Sequence, residues 1–263
     1  MPRLSVDIDL VYLPLGERET SLIDVSNNLD KLGDTIRSNI NGLTVHKLTL
    51  DNSPYISKLI VTVENAVVKI EVSPVLRGTV YKPKLMKISN SVEEIFGFAQ
   101  INVVSFEDLF AGKIIAALDR QHPRDLFDIK LLYEHEGVTN KLKESFIVYL
   151  ISHNRRIVEI LSPSQLNLKS TYLSSFEGMA NVDVSLLDLT KTRSSLIATI
   201  NSLLNEQDKE FLIKFKEGAP DWNYFSVPHI KDLPAVKWKI MNLNQLPKDK
   251  RRQMVHTLTK YFE

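Results

Sequence analysis

The sequence predicts a mixed α/β (α+β) domain over residues 1–104, followed by an all-α domain over residues 105–263. In the first stretch, runs with an apolar residue at every second position alternate with a helical pattern, whereas the periodic segments after residue 104 have helical spacing. A length of 263 residues suits one or two domains. Contents of 43% hydrophobic and 25% charged residues are typical of soluble globular proteins.

The first stretch opens with a strand and a helix. Residues 4–10 alternate as a strand, which places Asp7 and Asp9 on the same face. Residues 20–40 form an amphipathic helix, because their apolar residues recur at helical spacing. Three strand-like runs follow, at residues 43–50, 55–64 and 67–73. Asn65 and Ala66 are predicted to form the tight turn between the last two.

The second stretch contains several predicted helices. Ser105, with an acid three residues later, resembles a capping box and starts a helix that ends near residue 120. Pro123 suits the first position of the next helix, which ends near residue 134. Further helical patterns cover residues 141–152, 169–177, 185–204, 207–216 and 248–262.

The composition excludes several classes of protein. Because the chain has no cysteine, it has no disulfide, thiolate zinc site, iron–sulfur cluster or cysteine nucleophile. A net charge of +1 means that any basic surface must be local. The sequence has no apolar run long enough for a membrane span and no apolar region typical of a signal peptide, so we expect a cytoplasmic protein.

Three carboxylates are candidate metal ligands. Asp7 and Asp9 lie at i and i+2 of a strand, where they can share one or two divalent cations, as in phosphoryl-transfer sites. Glu71 lies in an otherwise apolar run and would complete a cluster if its strand paired beside the first. Alternatively, these side chains are the solvated positions of half-exposed strands, with Lys69 and Glu71 facing water.

The segment of residues 113–130 is the most distinctive. Lys113 lies near the apolar stripe of its helix, where a lysine either extends its amine to solvent or serves a site. Arg124 is at a helix start, where a cation is unfavourable, which indicates a role for it. Arg120 precedes this start, and Asp125 and Asp128 lie one turn apart. The alternative is a salt-bridge network that holds two helices together.

The order of these segments resembles the AbiEii/AbiGii toxin family of bacterial toxin–antitoxin and abortive-infection systems. The resemblance extends over nearly the whole chain, including Asp221 and Trp222, residues 233–239, and Asn242 and Leu243. It implies a polymerase-β-like nucleotidyltransferase domain with a mixed sheet, joined to a helical domain. It further implies a magnesium-dependent toxin that transfers NMP from a nucleoside triphosphate to RNA. The expected acceptor is the 3′ end of a transfer RNA, so that translation is blocked.

The resemblance also implies roles for individual residues. Asp7 and Asp9 would bind Mg²⁺, with Glu71 as a third metal ligand or as the base for the acceptor hydroxyl. Lys113 and Asp125 would complete the catalytic set. Binding of substrate would involve Ser5, Lys113, Arg120 and Arg124, whereas Asp128 would be structural. The family further implies a cognate winged-helix antitoxin as partner.

The sequence departs from the family near its start. Family members carry a Gly-Ser or Gly-Gly turn roughly a dozen residues before the paired aspartates, and its backbone amides hold the triphosphate. This sequence begins six residues before Asp7, so the turn is not in it. We therefore expect weakened nucleotide binding and self-association through an exposed sheet edge. The alternatives are a truncated, non-catalytic descendant that binds RNA or a protein partner, and a metal-dependent phosphohydrolase.

The C-terminal tail is a candidate RNA-facing surface. Residues 231–263 contain eight basic and three acidic residues, a net charge of +5, together with Trp238 and Tyr261. Arg155 and Arg156 would extend this surface. Alternatively, the tail is a solvated basic helix, with Trp238 in the core.

Overall fold

Strands and a helix alternate in the first part of the chain, as the sequence pattern indicates. The computed structural model describes Arg3 and residues 7–263. Its first elements are β1 (Asp7–Leu10), α1 (Arg18–Asn39), β2 (Leu43–Thr49), β3 (Ile56–Val63) and β4 (Ala66–Val72). Residues 7–78 and Asp232–Ala235 form one compact unit, called here the sheet unit.

The strands of the sheet unit form a mixed sheet in the order β1-β4-β3-β2. β1 is parallel to β4, and the other neighbours are antiparallel. The turn between β3 and β4 is formed by Glu64 and Asn65, one residue earlier than predicted, because Val63 pairs with Ala66. Glu64 adopts a φ of 47° in this turn.

One face of the sheet packs against α1. Its core is made of Val25, Leu29, Leu59, Ile70 and Val72. Because side chains alternate along a strand, burial of Ile70 and Val72 puts Lys69 and Glu71 on the opposite face. The apolar period of α1 and the alternation in β4 thus together decide which face of the sheet carries the charged groups.

The rest of the chain forms a second compact unit, called here the helical unit. It comprises Arg3, Thr79–Lys231 and Val236–Glu263. Its longer helices are α3 (Phe106–Asp119), α4 (Pro123–His135), α5 (Asn140–Ser152), α8 (Leu186–Leu203), α9 (Glu206–Glu217) and α11 (Lys248–Phe262). Also helical are α6 (Ile157–Leu161), α7 (Lys169–Ser175) and α10 (Pro234–Gln245), with 3₁₀ turns at Trp222–Tyr224 and Pro228–Asp232. The sequence pattern missed α6 and α10.

Local side-chain chemistry sets the starts of α3 and α4. Ser105 caps α3 by accepting a hydrogen bond from the Asp108 amide at 3.0 Å. Asp108 does not complete a capping box, because its carboxylate instead accepts from the amides of Val80 and Tyr81. His122 caps α4, whose first residue is Pro123 as predicted.

Two short strands and a helix precede α3 and were not predicted. They are β5 (Lys84–Lys87), α2 (Asn90–Phe96) and β6 (Gln100–Val103), and β5 pairs with β6 in antiparallel fashion. The apolar side chains of these elements do not form a regularly spaced buried face. Ile95 and Phe96, for example, are 73% and 78% exposed. The two compact units separate after Gly78. The domain boundary that the sequence indicates at residue 104 stays a prediction. In the part of the chain that the structure describes, no helix combines the length and apolarity of a membrane span.

Candidate functional site

The structure brings Asp7, Asp9 and Glu71 together on one face of the sheet. Asp9 is the register partner of Glu71 across the parallel β1–β4 pair, and Asp7 is the partner of Lys69. Neighbouring strands are only about 4.8 Å apart, and register partners share a face. This is the face opposite α1, so the fold produces the carboxylate grouping that the sequence suggested.

Two lysines lie among these carboxylates. Lys69 Nζ is 3.4 Å from Asp7 Oδ2 and 3.1 Å from Glu71 Oε1. Lys58, on β3, is 3.1 Å from Glu71 Oε2. Over residues 7–263 and Arg3, no three metal-ligating side chains converge closely enough to hold an ion as they stand. Carboxylate oxygens are nevertheless the donors that Mg²⁺ prefers, so the residues fit a metal that displaces Lys69.

The electrostatics of this face reflect both sets of charges. Desolvation and the negative charges of Glu71 and Asp7 raise the pKa of Asp9. Burial alone would raise the pKa of Glu71, but hydrogen bonds from Lys58 and Lys69 outweigh it and lower that pKa. Glu71 is therefore ionised at neutral pH, as a metal ligand has to be.

A second cluster lies in the helical unit, around Asp128. The side chain of Asp128 is 10% exposed and accepts a hydrogen bond from Lys113. Arg3 donates to it from Nε and Nη2, both at 2.7 Å. Burial would raise the pKa of Asp128, but Arg3 and Lys113 outweigh burial and lower it. Asp128 thereby fixes the position of the Lys113 ammonium group, a function that sequence spacing did not reveal.

Asp125, Arg120 and Arg124 surround the start of α4. Arg120 donates to Asp125 in bidentate fashion, at 2.6 Å and 2.9 Å. The guanidinium group of Arg124 has neither a hydrogen bond nor an ion pair with any residue of the described chain. It is near enough to His122 to contribute, after burial, to lowering the pKa of that imidazole. Arg124 is thus a cation available to an anionic ligand.

The predicted residues therefore fall into two groups. Asp7, Asp9 and Glu71 belong to the sheet unit, and Lys113, Arg120, Arg124 and Asp125 belong to the helical unit. Ser5, predicted to bind substrate, lies outside the described residues.

Sequence reasoning missed Arg77, which follows β4 in the sheet unit. Its side chain is 5% exposed, and its Nε and Nη1 have no partner in the described structure. Burial, together with the nearby charge of Arg18, lowers its pKa. Buried donors normally have partners, so this guanidinium is suited to an oxyanion. The signal in the sequence would have been an arginine just after a buried strand.

Comparisons with known proteins identify the relatives of this chain. The family model described as nucleotidyl transferase AbiEii toxin of type IV toxin–antitoxin systems matches residues 1–242. The structure is similar to MenT4, a nucleotidyltransferase toxin from Mycobacterium tuberculosis H37Rv. The TM-score is 0.56 at 15% identity, covering 92% of this chain and 78% of that chain. No curated protein matches the sequence. At this identity the structural similarity shows the fold, which is that of a nucleotidyltransferase toxin.

Proposed function

Since the chain belongs to the AbiEii family of nucleotidyltransferase toxins, we propose that it transfers a nucleoside monophosphate from a nucleoside triphosphate to RNA. We further propose Mg²⁺ as its metal and the 3′ end of a transfer RNA as the acceptor, with arrest of translation as the consequence. The observation that carries the proposal is the grouping of Asp7, Asp9 and Glu71 on one sheet face. Such a set of oxygen donors suits a hard divalent ion beside a triphosphate.

In the proposed reaction, an RNA hydroxyl oxygen attacks the α-phosphorus of the triphosphate. A bond forms between them as the bond to the bridging oxygen breaks, and pyrophosphate leaves. A divalent ion held by the carboxylates would neutralise the phosphate charge and activate the attacking hydroxyl. Asp7, Asp9 and Glu71 would hold this ion, and the hydroxyl proton would pass to solvent.

The helical unit supplies cations for the phosphates in this proposal. Lys113 acts as a point charge whose position is set by Asp128. Arg124 has an open guanidinium group, and Arg120 is held in place by the buried carboxylate of Asp125. Loss of Asp125 would release Arg120, which explains why an acid here would be essential without touching the substrate.

Membership of a toxin–antitoxin family implies an antitoxin partner and a nucleoside triphosphate substrate. We propose that the antitoxin is a winged-helix regulator and that the toxin acts in the cytoplasm.

The proposal is tested by incubating the protein with total transfer RNA, Mg²⁺ and each labelled nucleoside triphosphate in turn. We expect label on RNA with at least one nucleotide and release of pyrophosphate. Release of inorganic phosphate without labelled RNA would instead indicate a phosphohydrolase. Absence of any product from folded protein would overturn the proposal and favour a non-catalytic binding protein.

A further inference from the structure

Helices that are distant in sequence line a partly open cavity in the helical unit, and two of its lining residues are cations. α11 packs against both α6 and α9. A cavity of about 100 Å³ has four polar lining residues, namely Arg156 before α6, Lys216 on α9, and Gln253 and Thr257 on α11. The rest of its lining is apolar and comes from α6 and α11. Arg156 and helix α11 of the basic tail therefore meet at this cavity, as expected if Arg156 extends the surface of the tail.

Lys216 is the central feature of this cavity. Within the described structure Lys216 makes no hydrogen bond and no ion pair, whereas two other lysines of α9 are each paired with a glutamate. Lys209 lies 2.7 Å from Glu206, and Lys214 lies 2.6 Å from Glu210. Burial and the charge of Lys239 lower the pKa of Lys216 to about 8. The Lys216 ammonium group therefore lacks the counterion that the other two lysines have.

Nearby carboxylates do not balance the excess positive charge. Glu159 lies 3.7 Å from Arg156 but also 3.4 Å from Arg155, so two arginines share it. Lys239 is itself close enough to Lys216 to lower its pKa. A buried cation without an anion is unfavourable, and a bound anion would remove the imbalance.

We propose that this cavity binds a backbone phosphate of the RNA acceptor, through Lys216 and Arg156. The inference rests on the proposed function, because it takes RNA as the substrate. The cavity exceeds the roughly 10–15 Å³ that one water needs but is too small for a nucleoside, which fits a single phosphate group. Gln253, which also lines the cavity, adds a neutral amide donor. Such a contact would position the RNA without reading its sequence.

The test measures RNA binding by the full chain without nucleotide or metal, so that it does not depend on catalysis. Affinities for total transfer RNA and for a single-stranded oligonucleotide are measured over a range of salt concentrations. Lys216→Met is compared with Lys214→Met, which removes one charge from the same helix but outside the cavity. Lys216→Arg restores the charge, and thermal unfolding reports whether each variant is folded.

We expect Lys216→Met to bind more weakly and to reduce the slope of log K against log salt by about 0.7–0.9, the loss of one phosphate contact. Lys214→Met should keep the wild-type slope, and Lys216→Arg should recover most of the affinity. Equal slopes for Lys216→Met and Lys214→Met would overturn the inference. The inference would also be overturned if millimolar inorganic phosphate occupied the site at Lys216 and RNA still bound with unchanged affinity. If RNA binds as expected but no nucleotide is transferred, the proposed function fails and the phosphate site remains.

Discussion

At the scale of single residues, Asp128 shows how one buried carboxylate holds two cations in place. It pairs with Arg3, 125 positions earlier in the chain, and with Lys113 on another helix. Charge-assisted bonds of this kind fix geometry as well as adding stability. The family resemblance implied a structural role for Asp128 and a phosphate contact for Lys113, and the structure connects these two residues directly.

Asp128→Asn is expected to lower the free energy of unfolding by about 3 kcal/mol, because two partly buried cations lose their counter-charge. The pKa of Asp128 is lowered in the folded state, so its contribution is complete above the unfolded value of about 3.9. That contribution is lost as the pH falls through the lower folded value. Urea unfolding of the wild type should therefore lose stability below about pH 4 more steeply than the variant. Parallel pH profiles would contradict this assignment.

At the scale of elements, the loop after β4 depends on one glycine. Gly78 has a φ of +75° and its amide donates to the Tyr12 carbonyl at 2.7 Å. A Cβ there would come within 2.5 Å of Leu15 and 2.9 Å of Leu233. In the loop that carries the buried Arg77, the backbone at Gly78 thus has a conformation that residues with a side chain rarely adopt.

Gly78→Ala should destabilise the protein by about 1–2 kcal/mol from backbone strain, with a further amount from displacing the two leucines. Gly42→Ala is the matched control, since Gly42 has a φ of +79° but nothing within 4 Å of the added Cβ. Thermal unfolding of both variants separates the strain from the crowding. A Gly78→Ala variant no less stable than Gly42→Ala would show that the leucines move aside freely.

Elements whose apolar residues recur at regular helical or strand spacing could be predicted from the sequence. Elements without such regular spacing could not. α1 and β2–β4 were found because one face of each is buried. β5, α2 and β6 expose most of their side chains, so no apolar alternation marks them. The Ser105 cap was recognised, but the carboxylate of Asp108 bonds to Val80 and Tyr81, a tertiary contact that local spacing does not contain.

The candidate site was predictable to a similar extent. Side chains alternate between the two faces of a strand. Given that β1 pairs with β4, this alternation correctly predicts that Asp7, Asp9 and Glu71 lie on one face of the sheet. That Lys58 and Lys69 would neutralise them depends on the register between strands, which sequence alone does not fix. The orphan donors of Arg77 and the isolation of Lys216 depend on burial in three dimensions.

At the scale of the whole molecule, the two units carry opposite specialisations. The sheet unit presents carboxylates suited to a cation, and the helical unit presents Arg124 and Lys216 as cations without described counter-ions. In the proposed transfer reaction, the carboxylates would hold a divalent ion and the cations would bind phosphate.

Binding of a divalent ion should therefore stabilise the folded chain. Saturation at 100 times Kd adds about 2.7 kcal/mol, which for a protein of this size raises Tm by about 5–10 °C. EDTA should reverse the shift, and Asp9→Asn should reduce it strongly. Lys69→Met should melt lower without metal and gain more from it, because Lys69 competes for Asp7 and Glu71. If the metal raised the Tm of Asp9→Asn as much as that of the wild type, the metal would have to bind elsewhere.

The most direct test of a metal-dependent transfer reaction on the carboxylate face compares two carboxylate variants in the nucleotide-transfer assay at saturating Mg²⁺. Asp9→Asn removes a proposed metal ligand, whereas Asp51→Asn removes an exposed carboxylate of the same unit that lies off the strands. We predict that Asp9→Asn lowers the rate of RNA labelling about 100-fold or more while Asp51→Asn keeps the wild-type rate. Equal labelling by the two folded variants would contradict the assignment of the transfer reaction to the carboxylate face of the sheet.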